Sequence, residues 1–189
     1  MFILYAIPIG IALGYLLGGH IGRLADLRLR WIPLALIGLL MQVALFNTSL
    51  GTTLGDAAPA IYVVSNLLVF AMVLRNLRVP GMAVAAVGAA SNLIAIVANE
   101  GYMPADPRAF ASLGLGGPGY TNSTIVTDPV LPFLTDIFAM PAWMPAANVF
   151  SVGDVLLGVG VALTIALAMR APAPAVAAST PELGSDATT

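Results

Sequence analysis

The chain contains no cysteine and no lysine, a single histidine, and charged residues at only 8% of its 189 positions. Without cysteine there are no disulfides, no thiolate chemistry, no zinc–cysteine sites and no palmitoylation. His20 alone cannot build a multi-histidine metal site or a pair of haem ligands, so no metal and no cofactor are expected. The seven basic residues, all arginine, are too few for a stripe that tracks phosphates, and nucleic acid is excluded as a partner. An ordinary soluble domain carries roughly 25% charged residues. Here too few ionisable groups exist to cover a water-facing surface. What is present instead is apolar: hydrophobic residues make up 59% of the chain and mean hydropathy is +0.96. The composition is that of a protein whose partner is the lipid bilayer.

Crossing a hydrocarbon core takes about 18 or more apolar residues in a helix. Five runs approach or reach this length. They are Phe2 to about Gly19, Trp31 to about Leu50, Pro59 to Leu74, Pro80 to about Ala98, and Ser151 to Met169. Pro33, Pro59 and Pro80 stand at or near first helical positions, where a missing N–H costs nothing. The predicted fold is an all-α membrane protein, a bundle of five transmembrane helices over residues 1–170. A long outer loop, 100–150, joins the fourth and fifth spans. The Ala/Pro/Ser/Thr-rich tail 171–189 is predicted to be disordered and cytoplasmic. The first span lacks a basic n-region and a clean cleavage site, and reads as a retained helix.

Arginine sets the orientation. Arg23, Arg28 and Arg30 lie between the first and second spans, Arg75 and Arg78 between the third and fourth, and Arg170 after the fifth. Arg108 alone falls on the other side. The expectation is a multi-pass protein of a bacterial plasma membrane, N-terminus outside and C-terminus cytoplasmic. The outer side then holds Asn47–Ala58 and the long loop. Within that loop Ala111–Gly119 is glycine-rich and predicted to be flexible, and Tyr120–Thr127 is β-branched enough for a short strand. Val130–Phe150 is apolar but broken by Pro132, Pro141 and Pro145. It is expected at the outer interface with Phe138 and Trp143 at headgroup level.

Several residues stand out against this background. Gly10, Gly14 and Gly18 form a GxxxGxxxG ridge for helix packing, with Gly81, Ala85 and Ala89 of the fourth span as a natural partner stripe. The ridge serves either assembly with another subunit or packing within the chain. Asn92 and Asn99 share one face of the fourth span with Ala95, and Glu100 follows. An asparagine there either joins a polar site at the outer end or bonds another helix, with Asn66 and Gln42 as available partners. Ser151 and Asp154 open the fifth span. Their spacing matches a capping box, and an aspartate at the edge of an apolar run is also a site candidate. Asp136 in the interfacial stretch either faces the same patch or is a solvated loop carboxylate. No catalytic residue is assigned.

Two resemblances follow from these residues. The chain resembles a family of small bacterial multi-span proteins known only as a domain of unknown function. The shared features are Asn92-Leu93-Ile94, Asn99-x-Gly101-x-Met103-Pro104, the Asp136 stretch and Ser151-Val152-Gly153-Asp154. More distantly, residues 88–160 resemble the two aspartyl motifs of lipoprotein signal peptidase. Phe150-Ser151-Val152-Gly153-Asp154, with Leu157 and Gly160, keeps the second aspartate, while Ser91-Asn92-Leu93-Ile94-Ala95 has alanine where the first belongs. An aspartyl peptidase needs one carboxylate to accept a proton and one to donate it. With Ala95 the pair is broken at that position, and Glu100 or Asp136 is the available replacement.

The leading expectation is a non-catalytic integral membrane protein, an accessory or binding subunit with other membrane subunits as partners. A signal-peptidase-like hydrolase or lipid-binding protein using the outer polar site is the alternative, and a small transporter is the third. The transporter is disfavoured because no charge lies at mid-membrane and no pair of broken helices is evident. The arginine asymmetry predicts that reporter fusions after Arg78 and at Thr189 give cytoplasmic signals and one near Gly116 an outside signal. A cytoplasmic signal near Gly116 is incompatible with this topology.

Overall fold

The computed structural model describes residues 2–114, 123–126 and 128–170. The chain is mostly helical, with seven α-helices among those residues. They are α1 (Ala6–Leu16), α2 (Ile32–Asn47), α3 (Leu50–Leu54), α4 (Ala58–Arg75), α5 (Met82–Ala98), α6 (Pro107–Ser112) and α7 (Val152–Ala168). Four two-residue strands lie between α5 and α7: β1 (Pro104–Ala105), β2 (Thr124–Ile125), β3 (Phe138–Ala139) and β4 (Val149–Phe150). The five apolar runs thus each hold a helix, α1, α2, α4, α5 and α7. The helical stretch Leu50–Arg75 is long and apolar enough to cross a membrane by length and composition; the other four apolar helices have 17 residues or fewer.

Local chemistry sets these shorter bounds. α1 ends at Leu16 because Gly18 is left-handed (φ 76°) and the chain closes a Schellman motif. Gly19 N–H donates to Gly14 O at 2.8 Å and Gly18 N–H to Tyr15 O at 2.9 Å. α2 stops at Asn47, where the extended Thr48 uses its hydroxyl twice, donating to Ala44 O and accepting from Leu50 N–H. The expected loop Asn47–Ala58 therefore contains α3 and a 3-10 turn, Gly55–Ala57. α5 begins after Gly81, whose φ of 91° suits a residue without Cβ.

The long helices pack in the order α1, α7, α5, α4, α2. The last helix inserts between the first and the fourth of the five. The ridge on α1 consequently meets α7 and not the stripe on α5. A Cβ on Gly10 would lie 2.8 Å from Ala162 O, and one on Gly14 would meet the Met169 side chain. A Cβ on Gly18 would meet nothing within 4 Å, and Gly18 is not part of the ridge, because the helix has already ended. On α5 the stripe facing α7 is Gly81, Ala85 and Gly88, with Gly88 in place of the expected Ala89. A Cβ on Gly88 would sit 2.5 Å from both Gly153 O and Leu157 N, and Gly160 lies directly against the Ala85 backbone.

Ala58, Ala95 and Ala166 are fully buried together with the larger Leu45, Ile96 and Met169, while Leu16 is 83% and Leu40 66% exposed. Many large apolar side chains thus lie on the periphery. At one end, called the arginine end below, the turns before α2 and after α4 meet. Asn76 accepts Arg30 N–H at 2.8 Å and donates to Arg30 O at 2.8 Å. Arg23 Nη1 donates to Met169 O and Arg170 O, and the Arg75 guanidinium lies 5.8 Å over the Trp31 ring.

At the other end, the described residues between 99 and 151 form a folded cap. β1 pairs in parallel with β2, Ala105 bridges in parallel to Asp136, and β3 pairs antiparallel with β4. Of the expected strand over Tyr120–Thr127, the described residues 123–126 hold β2. Part of the expected flexible segment, Ala111–Ser112, belongs to α6, which Asp106 caps. Residues 115–122, Thr127 and the tail 171–189 lie outside the described residues.

Because the Ala85 backbone cannot retreat while the Met169 thioether can, Gly160→Ala is expected to destabilise by about 1–3 kcal/mol and Gly14→Ala by less. Thermal unfolding in detergent measures both. Unchanged melting in Gly160→Ala would contradict the α5–α7 contact.

Candidate functional site

The polar cluster at the cap end starts from the close approach of α5 and α7. Gly88 admits the first turn of α7, and Gly153 leaves room for the Asn92 amide: a Cβ at Gly153 would collide with Asn92 Oδ1. Asn92 is thereby delivered across the interface to the N-terminus of α7, where Ser151 and Asp154 form the predicted capping box. Asp154 N–H donates to Ser151 Oγ at 3.0 Å, and Ser151 N–H donates to Asp154 Oδ2 at 3.0 Å. Asn92 Nδ2 donates to Asp154 Oδ1 at 2.8 Å, and Ser151 Oγ donates to Asn92 Oδ1 at 2.8 Å.

Donor and acceptor counting fixes the orientations. Asp154 offers only acceptors, so the Asn92 amide must present its NH2 to it, and the Asn92 carbonyl is left for the serine hydroxyl. The single serine proton goes to Asn92, at 2.8 Å, in preference to Asp154 Oδ2 at 3.2 Å. Every polar side-chain atom of Asn92, Ser151 and Asp154 therefore has a protein partner. The expected partner Asn66 takes no part, since its amide bonds Tyr62 O on its own helix.

Asp136 is a different kind of carboxylate. It is 3% exposed, which corrects the expectation of a solvated loop residue. Burial follows from its backbone: Asp136 N–H donates to Pro104 O and Asp106 N–H donates to Asp136 O, each at 2.9 Å, so the residue is held as a strand against β1. Ser123 Oγ donates to its Oδ2 at 2.5 Å. Oδ1 is buried and has no hydrogen-bond partner among the described residues. Burial pushes the Asp136 carboxyl up to about 7, the negative charge of Asp154 adds to the rise, and the Ser123 hydroxyl pulls the other way.

The remaining candidates sit elsewhere. Asn99 caps α5 and clamps the cap backbone, donating to Val130 O at 2.9 Å and accepting Val130 N–H at 2.8 Å. Glu100 is exposed, with a left-handed backbone (φ 59°), and lines a groove of about 450 Å³ between α4 and α5. Neither Asp136 nor Asp154 lines that groove. The structure thus joins Asn92, Ser151 and Asp154 directly, sets Asp136 within electrostatic reach, and gives Asn99 and Glu100 separate roles. Sequence reasoning missed Gly88, Gly153 and Ser123. The two glycines sit at i−4 from Asn92 and i−1 from Asp154, and that spacing was the available signal.

A family model described as a family of unknown function (DUF5317) matches residues 26–166. The match covers α2 through most of α7, and with them every polar candidate, and leaves out α1. No curated protein and no solved structure matches the chain.

The Asp136 environment predicts a pH dependence. Its carboxyl is raised in the fold from an ordinary 3.8 to about 7. Between those values the unfolded chain gives up the proton and the folded chain keeps it, so stability falls as pH rises from about 4 to about 7 and levels beyond. The full span is worth roughly 4 kcal/mol at most. Asp136→Asn keeps a neutral side chain at all pH values and should flatten this slope. Thermal unfolding of both proteins from pH 4 to 8 is the measurement. An equally steep slope in the variant would assign the dependence to another group.

Proposed function

The chain belongs to the DUF5317 family, and since membership brings no activity with it, we propose a function from the geometry: a non-catalytic integral protein of a bacterial plasma membrane. In this reading α1, α2, α4, α5 and α7 are its five spans, the N-terminus is outside and the C-terminus cytoplasmic, and it works as an accessory or binding subunit among other membrane proteins. The periphery supports the membrane setting: large apolar side chains such as Leu16 and Leu40 are exposed, and helices approach closely through glycine, a surface and a packing suited to a hydrocarbon surround. The meeting of Arg23 with the end of α7, and of Arg30 with Asn76, brings the arginine-bearing turns to one end and supports the assigned orientation. Trp143, 82% exposed on the cap, suits an interfacial position.

The observation that carries the non-catalytic reading is the engagement of both Asp154 oxygens by protein donors. Its two oxygens receive Asn92 Nδ2 and Ser151 N–H, and its role is to tie α5 to the start of α7. These bonds orient the carboxylate towards the helix end and the neighbouring amide, a structural use of its charge. Ala95, which stands at the first-aspartate position of the signal-peptidase resemblance, is fully buried in the cluster of Leu45, Ala58 and Tyr62.

One observation favours a hydrolase as the second reading. Asp136 replaces the missing acid electrostatically, giving two interacting carboxyls of which one is shifted up to about 7, the pattern of an acid–base pair.

Asp154→Asn separates the two. The Asn92 amide can flip so that its carbonyl accepts from the new amide and its NH2 donates to Ser151 Oγ, which keeps the network bonded. A loss of about 0.5–2 kcal/mol or less is expected, with the protein still resisting alkaline extraction from membranes. Cleavage of a lipoprotein precursor by the purified wild type, lost in both Asp154→Asn and Asp136→Asn, would replace this reading with the hydrolase.

A further inference from the structure

The groove between α4 and α5 is separate from the Asp154 cluster and is polar at one end only. Asp56, in the turn before α4, and Glu100, just past the end of α5, line its mouth, and both are exposed. Pro59 and Val63 of α4 and Val97 of α5 line the rest, with Tyr102 beside them. No arginine lines it.

Its shape comes from a sharp turn. Glu100 and Gly101 are consecutive left-handed residues (φ 59° and 86°), and a Cβ on Gly101 would lie 2.5 Å from Pro59 Cβ. The turn folds the end of α5 onto the start of α4, and Asp56 and Glu100, from the two flanking turns, both line the groove. Glutamate in this backbone region carries a strain that glycine would not. The polarity then changes along the helix axes. Val63 lies seven residues beyond Asp56, roughly 10 Å at 1.5 Å per residue, and Val97 lies three residues before Glu100, roughly 4–5 Å.

We propose that this groove binds one phospholipid whose headgroup ends in a primary ammonium, the ammonium between Asp56 and Glu100 and an acyl chain along Val63 and Val97. The proposal rests on the membrane reading above, which puts the acidic mouth at the outer headgroup level and the valines at hydrocarbon depth. Charge complementarity selects the occupant. Two carboxylates with no lining arginine favour a cation and repel an anionic headgroup. A primary ammonium donates three hydrogen bonds to such acceptors, whereas a trimethylammonium donates none.

The test uses the full chain in detergent, mixed with equal amounts of phosphatidylethanolamine, phosphatidylcholine and phosphatidylglycerol of identical acyl chains and read by native mass spectrometry. The wild type is expected to retain one phosphatidylethanolamine with a preference of about fivefold over the other two, the scale of exposed charge-assisted contacts. In the double variant Asp56→Asn with Glu100→Gln the ratio should fall towards one. Val97→Trp, which fills the apolar part and leaves both charges in place, should also lose the retained lipid. Both changes lie at exposed positions, and unchanged melting confirms that the fold is kept. Equal retention of the three lipids by the wild type overturns the groove assignment and leaves the membrane reading standing, as does a preference undiminished in both variants. A wild type that stays monodisperse without detergent and retains no lipid overturns both.

Discussion

The arrangement at the cap end depends on how closely α5 and α7 approach. Backbone meets backbone at Gly88 and Gly160, with no side chain between them. Such contact yields little in apolar transfer where the surroundings are themselves apolar. Its gain comes from dispersion and from polar groups brought into register. The register then decides the rest. With Gly153 beside Asn92, an amide on one helix reaches the unsatisfied N-terminus of the other, and the capping box of Ser151 and Asp154 acquires a third member from a helix 59 residues away.

That three-residue network and Asp136 solve the same problem differently. Asp154 sits where four N–H groups lack helical partners, so a negative charge is accommodated there. Asp136 has been drawn out of water by backbone pairing with β1, and among the described residues its Oδ2 accepts from the Ser123 hydroxyl while its Oδ1 has no hydrogen-bond partner. Burial raises the Asp136 carboxyl, and the negative charge of Asp154 adds to the rise. The fold therefore raises one carboxyl to about 7 by burying it, while the other takes up helix-end and amide donors.

The helices were legible because hydrophobic runs and proline positions are local signals. Pro33 and Pro59 mark the starts of α2 and α4 as expected. The ends were less legible. Gly18 matches the ridge spacing yet terminates α1, since one glycine can serve packing or a left-handed turn and the spacing does not distinguish them. The capping box was readable because both partners lie within four residues. Asn92 near that box was legible, because the ends of antiparallel neighbours lie at similar depth; its direct bonds to Asp154 and Ser151 were not, because they depend on the register that Gly88 and Gly153 allow. The burial of Asp136 was hidden too: it follows from pairing with β1, about thirty residues earlier.

The two asparagine clamps share one feature. Asn76 at the end of α4 and Asn99 at the end of α5 each grip the N–H and the C=O of a single distant residue, Arg30 and Val130 respectively. Neither bond reads the side chain of the residue it holds. Positions 30 and 130 are thus anchored in space while their chemical identity stays open to drift, with proline alone barred for want of an N–H. The cap and the opposite turn can change their outward character around these two points without the bundle having to be rebuilt beneath them.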